Sequence, residues 1–279
     1  MNEQAAWLTE FVNHHLGRLA LALLAAFHIQ PKHPELPIPE HVVMAFVVVI
    51  MGTILALALR SRLSVEKPGA MQQVAEMLLT NPLGFGIKDL LEENVLHGAS
   101  KFIPFVGTIS VFVLLGNLMG ALPGSFLKAP TGVDVSVPLA CAVLTFVYFN
   151  WQGARRHGVG GYLLTFAGSP KDFAAWLLAI LLFPVEVVST TARILSLTVR
   201  LWANMFASDM IYVIFLGLLA GGASFGWGKS PVLGVVLAVF PATIPVLFIC
   251  LHIFVSVIQA YVFTVLPAVY LGLATAEEH

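Results

Sequence analysis

Two apolar tracts near the C-terminus, residues 173–219 and 231–273, constrain this chain more than any other feature. A helix of forty residues is about 60 Å long, which is twice the ~30 Å thickness of the hydrocarbon layer of a bilayer. Both tracts are therefore expected to be steeply tilted or broken helices that run partly along the membrane surface. Of all residues, 58% are hydrophobic and 10% charged, whereas a soluble domain has about 25% charged residues. The sequence predicts an all-α polytopic membrane protein.

Three shorter apolar stretches bring the expected number of membrane-crossing helices to about five. We expect one integral membrane domain, 1–279, with an N-terminal segment, a first span, an interfacial amphipathic part, a helical hairpin and a long tilted antiparallel helix pair. Their boundaries are 1–40, 41–60, 68–101, 102–152 and 172–273. The four prolines between residues 30 and 40 predict a loop. Gly153, followed by two arginines, should end the third span, and the glycine-rich stretch 221–231 should be a turn.

The distribution of basic residues predicts the orientation. With five crossings, eight Lys and Arg residues fall on one side and four on the other. The richer side holds Arg60, Arg62, Lys67, Lys88, Lys101, Arg155, Arg156 and Lys171, and the poorer side holds Arg18, Lys32, Lys128 and Lys229. The N-terminus is therefore expected outside and the C-terminus in the cytoplasm. The net charge of −1 gives no indication of a nucleic acid partner.

Arg200 is the most informative single residue, because it lies in the middle of the first long apolar tract. A guanidinium group is always protonated, and holding it at the centre of a bilayer costs ~3 kcal/mol or more. Glu186, Arg193 and Arg200 are spaced seven apart, so each is turned only about 20° from the last on a helix. Asn204 follows on the same face, and Asp209 lies farther along on the opposite side.

The second long tract carries His252 and Gln259, which are also seven residues apart. If the two tracts form an antiparallel hairpin folded about residue 230, Arg200 is level with position 260 and Asp209 with position 251. The hairpin therefore predicts Gln259 beside Arg200 and His252 beside Asp209.

This polar set predicts proton or ion handling, since Asp, Glu and His exchange protons inside a membrane and Arg does not. Acids at two depths with a permanent cation between them favour two aqueous routes kept apart by Arg200.

Plainer roles remain open: Asn204 and Gln259 as side chains that hydrogen-bond between helices, and Arg193 as a side chain that extends to the lipid headgroups. Another alternative is a secondary transporter or ion channel that uses Arg200 to bind an anionic substrate, although no inverted repeat is evident. Motifs for nucleotide, metal or haem binding are absent from the sequence, so no cofactor and no metal site are expected.

These residues resemble a known family, subunit a of the bacterial F-type ATP synthase. Residues 197–209, which include Arg200, Asn204 and Asp209, are similar to its signature segment, and residues 252–263 are similar to its last-helix motif. Glu186 and Ser196 occupy the family's acidic and small hydroxyl positions. The resemblance covers roughly residues 70–279 and is most specific over 186–279.

The resemblance implies the stator of a rotary motor in the bacterial cytoplasmic membrane, multi-pass, with a periplasmic N-terminus and a cytoplasmic C-terminus. Its partners would be the ring of c subunits, b-type peripheral stalk subunits, the remaining ATP synthase subunits, lipid and protons. Asn204, Asp209, His252 and Gln259 would line a periplasmic proton path, and Glu186, Ser196 and Arg193 a cytoplasmic one. Arg200 would separate the two and act on the ring carboxylates. The chain would not be an enzyme by itself and would hold no nucleotide site.

One departure from the family pattern is visible. Gly120 stands where some relatives carry an aspartate, which removes one candidate acid from the periplasmic side.

Overall fold

The computed structural model describes residues 7–28, 35–95, 98–121, 128–168 and 173–275. Within these ranges every regular element is a helix and there is no β-strand. The helices in chain order are α1 (Trp7–Ala26), α2 (Glu40–Arg60), α3 (Ala70–Leu79), α4 (Ile87–Asn94), α5 (Ile103–Gly120), α6 (Pro130–Val133), α7 (Ser136–Phe166), α8 (Phe173–Trp227) and α9 (Pro231–Thr275).

Five of these helices are long and apolar enough to cross a membrane: α2, α5, α7, residues Trp176–Trp227 of α8 and residues Val246–Thr275 of α9. The predicted all-α polytopic fold is confirmed. The first two spans also have nearly the predicted limits, since α2 begins at Glu40 and ends at Arg60. An acid in the first turn and a base in the last turn both suit the helix dipole.

The region 68–101, predicted as one or two amphipathic helices, contains α3, α4 and a short 3₁₀ turn at Ala99–Lys101. α4 buries Ile87, Leu90 and Leu91, so its apolar face packs inward. Asp89 Oδ2 accepts a hydrogen bond of 2.7 Å from the backbone N–H of Asn81 and so joins the end of α3 to α4. Whether these helices lie on the membrane surface stays a prediction.

The third span is longer than predicted, because α7 continues past Gly153 to Phe166. The true break is at Gly158, whose φ of 73° is outside the helical region, a conformation that glycine adopts at little cost. Gly153 has a packing role instead: a Cβ there would collide with the ring of Tyr162. The Tyr162 hydroxyl donates a 3.0 Å hydrogen bond to Asn150 Oδ1, so the segment after the break folds back onto the helix.

The two long tracts form helices of 55 residues, α8, and 45 residues, α9. At 1.5 Å per residue they are about 80 Å and about 70 Å long. The predicted turn over 221–231 is wrong in extent, since α8 continues through Gly221, Gly222 and Gly226 and ends at Trp227. A glycine inside a helix costs only ~1 kcal/mol, which the surrounding helix can absorb. α8 also contains Pro184, which removes one backbone hydrogen bond.

The chain divides into two compact units of interleaved segments. The histidine unit, named for His252, comprises Met1–Met51, Leu114–Val137 and Leu201–Ile258. The arginine unit, named for Arg200, comprises Gly52–Val113, Pro138–Arg200 and Gln259–His279. The single membrane domain 1–279 stays a prediction.

Each unit has its own packing. In the arginine unit, α4, the 3₁₀ turn, α5, α7 and α9 contribute to one apolar cluster: Ile87, Leu91, Val95, Ala99, Phe102, Val106, Phe149, Tyr162, Ala268, Leu271 and Ala274. In the histidine unit, Asn13 of α1 exchanges two hydrogen bonds with the backbone of Ile38. These bonds fix the proline-containing loop before α2, in agreement with the predicted loop over the described residues 35–39.

Candidate functional site

His252 is the best-defined polar side chain of the histidine unit. It lies on α9, is 5% exposed, and both of its ring nitrogens have partners. Nδ1 is 2.6 Å from Ser208 Oγ on α8, and Nε2 is 3.0 Å from the backbone carbonyl oxygen of Asn117 on α5. Three helices therefore hold one imidazole ring.

The contact between Ser208 and His252 also tests the predicted hairpin. These residues lie 22 positions before and 22 positions after residue 230. Farther toward the turn, Phe215 and Phe248 stack with ring centroids 5.9 Å apart. The midpoint of the first pair is residue 230 and that of the second lies between residues 231 and 232, so the two helices are antiparallel in this unit with a centre close to the predicted one.

Asp209 is next to Ser208 in the chain, and its carboxylate lies against α6. A Cβ added to Gly132 would be 3.1 Å from Asp209 Oδ2. His252 and Lys128 are basic groups close enough to influence this carboxylate electrostatically. The direct hydrogen bond to the imidazole comes from Ser208, and the predicted position of Asp209 beside His252 stays a prediction.

Asn117 of α5 is a further functional candidate. It is fully buried, and its Oδ1 accepts a 2.7 Å hydrogen bond from Thr131 Oγ1. Its Nδ2 is buried without a hydrogen-bond partner. An amide in the otherwise apolar second half of a span was the signal that could have identified it.

Gly120 is one turn of α5 beyond Asn117. A Cβ at this position would be 2.7 Å from Ala129 Cβ and 3.4 Å from His252 Nε2. Contacts as short as the first force neighbouring atoms to move, so the packing of Ala129 requires glycine here. An aspartate at this position would sit directly beside the imidazole.

Two polar contacts join the start of α2 to the segment around α6. Lys128 Nζ forms an ion pair with Glu40 Oε2 at 3.2 Å, and His41 Nδ1 is 3.7 Å from Asp134 Oδ2. Glu40 Oε1 is buried without a hydrogen-bond partner in the described part of the chain. Of these four residues, the charge distribution of the sequence had placed only Lys128, on the side with fewer basic residues.

In the arginine unit, Glu186 and Arg193 form the pair that their spacing indicated. Arg193 Nη2 is 3.6 Å from Glu186 Oε1, and its guanidinium carbon is 5.1 Å from the centre of the Tyr270 ring. A cation over an aromatic face is attracted to the ring electrons. Arg193 is thus held by both α8 and α9 and does not extend freely toward lipid headgroups.

Arg200 differs from Arg193 in having no such support. It is exposed, and within the described residues no hydrogen bond or ion pair involves it. Gln259 is 3% exposed, and its Oε1 is buried without a hydrogen-bond partner. No hydrogen bond joins these two side chains in the described part of the chain, so their predicted proximity stays a prediction.

The remaining predicted residues, Ser196 in the arginine unit and Asn204 in the histidine unit, are both exposed on α8. No group of three or more His, Cys, Asp or Glu side chains among the described residues is arranged to hold a metal ion.

Comparison with known proteins identifies the family. The sequence model of the ATP synthase A chain matches residues 41–272. The ATP synthase subunit a of Koribacter versatilis (strain Ellin345) is 38% identical over 98% of this chain and 98% of its own length. That of Solibacter usitatus (strain Ellin6076) is 36% identical over 96% of this chain and 99% of its own, and that of Desulfosudis oleivorans is 32% identical over 83% and 86%. A match of this extent, on a chain with five candidate membrane spans, shows that the chain belongs to the ATP synthase A chain family, a component of the membrane sector.

Proposed function

We propose that this chain is the stator subunit in the membrane sector of a rotary F-type ATP synthase, where it provides two proton half-channels separated by Arg200 and acts on the carboxylates of a c-subunit ring. The observation that carries the proposal is the state of Arg200, which is exposed and unpaired among the described residues.

The exposed surface of the α8 segment that precedes Arg200 supports an external partner. Val188, Leu195 and Val199 of α8 are 68%, 63% and 48% exposed, so an apolar neighbour must cover them in a membrane. Lipid would suit these three side chains but not the guanidinium, which costs ~3 kcal/mol or more at the bilayer centre. A partner helix that carries one carboxylate satisfies both requirements. A ring of such helices would present a carboxylate to Arg200 at every step of rotation.

The periplasmic half-channel of the proposal is built on the histidine unit. Histidine and aspartate side chains such as His252 and Asp209 can bind and release protons inside a membrane. Asn204 lies between Arg200 and Asp209 along α8. Asn117 Nδ2 and Glu40 Oε1 are buried polar atoms without protein partners, and such atoms stabilise water molecules. The buried Gln259 Oε1 of the arginine unit offers another acceptor of this kind.

The cytoplasmic half-channel is built on Glu186, Ser196 and Arg193. The Glu186–Arg193 ion pair is half-exposed on both sides, so the carboxylate keeps contact with its surroundings while Arg193 holds it in place. In this proposal Arg193 is a positioning residue, and the hydroxyl of Ser196 is a polar step toward Arg200.

Arg200 between these groups prevents a proton from crossing directly. Its charge is permanent, so it repels a proton that approaches from either side and attracts an ionised ring carboxylate. A proton must then travel with the ring from one half-channel to the other. The membrane potential supplies ~2.3 kcal/mol per charge per 100 mV, so several protons must be combined for each ATP.

In this role the chain would lie in the bacterial cytoplasmic membrane, with its N-terminus in the periplasm and its C-terminus in the cytoplasm. The other partners are b-type peripheral stalk subunits and the remaining subunits of the synthase. ATP chemistry would take place in those subunits, and this chain would supply the ion path.

The proposal is tested with Arg200→Ala in the whole complex, measured as proton-driven ATP synthesis in inverted membrane vesicles. We expect synthesis to be abolished while the subunit still assembles. Arg155→Ala is the matched control, because Arg155 is an exposed arginine of α7 outside the proposed path, and it should leave synthesis unchanged. Retained synthesis in Arg200→Ala would refute the proposal.

A second measurement separates the stator from a transporter. The stator should purify together with a small two-helix protein that carries a membrane carboxylate. Solute transport by the purified chain alone in liposomes would instead support the transporter alternative.

A further inference from the structure

The two partners of the His252 ring differ in chemistry. The carbonyl oxygen of Asn117, 3.0 Å from Nε2, can only accept a hydrogen bond. The hydroxyl of Ser208, 2.6 Å from Nδ1, can donate or accept. This difference decides where the imidazole carries its hydrogen.

Because a carbonyl cannot donate, Nε2 must carry a hydrogen for the contact with Asn117 to be a hydrogen bond. In a neutral imidazole only one nitrogen is protonated, so Nδ1 holds the free lone pair. Ser208 then donates its hydroxyl hydrogen to Nδ1. The backbone of α5 thus selects the tautomer, and its basic nitrogen faces α8.

We propose that Ser208 is the group through which His252 gains and loses its mobile proton, an inference that rests on the proposed role of His252 in the periplasmic half-channel. When a hydronium ion reaches Ser208, Oγ takes one of its protons as the existing O–H proton moves to Nδ1. Two O–H bonds break, one in the hydronium ion and one in Ser208, while one new O–H bond at Ser208 and one N–H bond at Nδ1 form, and the hydronium becomes water. The imidazolium then donates from Nδ1 to Ser208 Oγ, and the reverse sequence releases the proton.

Among the described residues, none on the Nε2 side of the ring can take up a proton from it. Nε2 faces the Asn117 carbonyl, which is a very weak base, and Gly120 is packed beside it against Ala129. A proton therefore does not enter His252 at one nitrogen and leave at the other. His252 exchanges protons at Nδ1 alone, which places the path on its α8 side.

The charged groups around this exchange are few among the described residues. Asp209 is the next residue after Ser208 on α8, and Lys128, before α6, acts on the Asp209 carboxylate. The part of α5 that contacts the ring contributes Asn117 and Gly120, neither of which titrates.

A serine that only holds the ring in place is the rival role for Ser208, and the two roles differ in their pH dependence. Loss of a positioning bond should slow uptake equally at every pH. Loss of a proton-passing hydroxyl should slow it most at alkaline pH, where hydronium is scarce and each proton must be transferred efficiently.

The experiment compares Ser208→Ala, Ser208→Thr and Ser256→Ala in the assembled complex, as rates of proton-driven ATP synthesis across pH. Ser256 is the matched control, because it is a buried serine whose Oγ donates to the backbone carbonyl of His252 at 2.7 Å and does not contact the ring. We expect Ser208→Ala to lose about tenfold, less than a full acid–base group, since water can replace a hydroxyl. The loss should grow with pH, Ser208→Thr should stay within about twofold of the original rate because it keeps the hydroxyl, and Ser256→Ala should match the unchanged chain.

Four results would overturn the inference: an unchanged rate in Ser208→Ala, a loss in Ser208→Ala that is equal at every pH, an equal loss in Ser208→Thr, or an equal loss in Ser256→Ala. Arg200→Ala in the same preparation keeps the two proposals distinguishable. If Arg200→Ala abolishes synthesis and Ser208→Ala does not slow it, only the role of Ser208 fails. If Arg200→Ala retains synthesis, the stator assignment itself fails.

Discussion

The surroundings of His252 and those of Arg200 are opposite in one respect. His252 is buried, and both ring nitrogens have partners within the chain. Arg200 is exposed, and the described residues supply it with no partner. A buried polar group left unsatisfied costs about 1–3 kcal/mol, so the chain completes the histidine site by itself. In the proposed function, a carboxylate of the c-subunit ring would be the partner of Arg200.

Arg200→Lys tests the arginine site, and among the variants below it is expected to reduce the synthesis rate most. Lysine keeps the charge but loses the planar fork that binds a carboxylate through two parallel hydrogen bonds. We expect proton-driven synthesis to fall about a hundredfold, similar to the loss of one well-placed donor in a catalytic site. A rate close to that of the unchanged chain would mean that charge alone is required and that no carboxylate docks on the fork.

His252→Ala tests the histidine site and is expected to reduce the synthesis rate less than Arg200→Lys. Removing the imidazole should slow proton uptake about tenfold without abolishing it, because water can enter the space between Ser208 and Asn117. Since Ser208 acts through His252, the double variant with Ser208→Ala should be no slower than His252→Ala alone. The measurement is synthesis rate against pH. If His252→Ala has the same synthesis rate as the unchanged chain at every pH, His252 is not part of the proton path.

Gly120→Ala tests how tightly the histidine site is closed and should have the smallest effect. Its Cβ would lie 2.7 Å from Ala129 Cβ, so we expect a loss of about 1 kcal/mol in stability, at the low end of the cost of overpacking. The measurement is the Tm of the purified complex. Ala129→Gly removes the opposing methyl group and should restore stability in the double variant. An unchanged Tm in Gly120→Ala alone would show that the site has space for an acid.

The register of the long helix pair could be predicted because two polar pairs and one turn had to agree. His252 was expected beside Asp209, and the residue that contacts it is the preceding one, Ser208. The seven-residue spacing placed Glu186 and Arg193 on one face of α8, where they form an ion pair. Periodicity along a helix is a geometric property that the sequence carries directly.

Other features depend on neighbours that the sequence does not reveal. Gly153 and Gly221 were expected to end helices, but one receives the ring of Tyr162 and the other continues α8. Ser208 looked like an ordinary helix residue until α9 placed an imidazole against it. The backbone carbonyl that orients His252 leaves no sequence signal, because every residue has one. The proximity of Arg200 and Gln259 remains a prediction, and a structure of the assembled complex would decide it.

The length of α8 has a mechanical consequence. Its 55 residues give it a contour length of about 80 Å, and only 11% of its most apolar stretch is buried, against 39% in α5 and α7. Its buried residues are concentrated near the middle: Thr190, Leu197, Thr198, Leu201 and Met205. A sideways load is resisted there by packing within the chain, whereas the exposed stretches rely on the stiffness of the helix and on neighbouring molecules. Pro184 lies in such an exposed stretch and removes a backbone hydrogen bond from its turn, so lateral support from other molecules matters most in that part of α8.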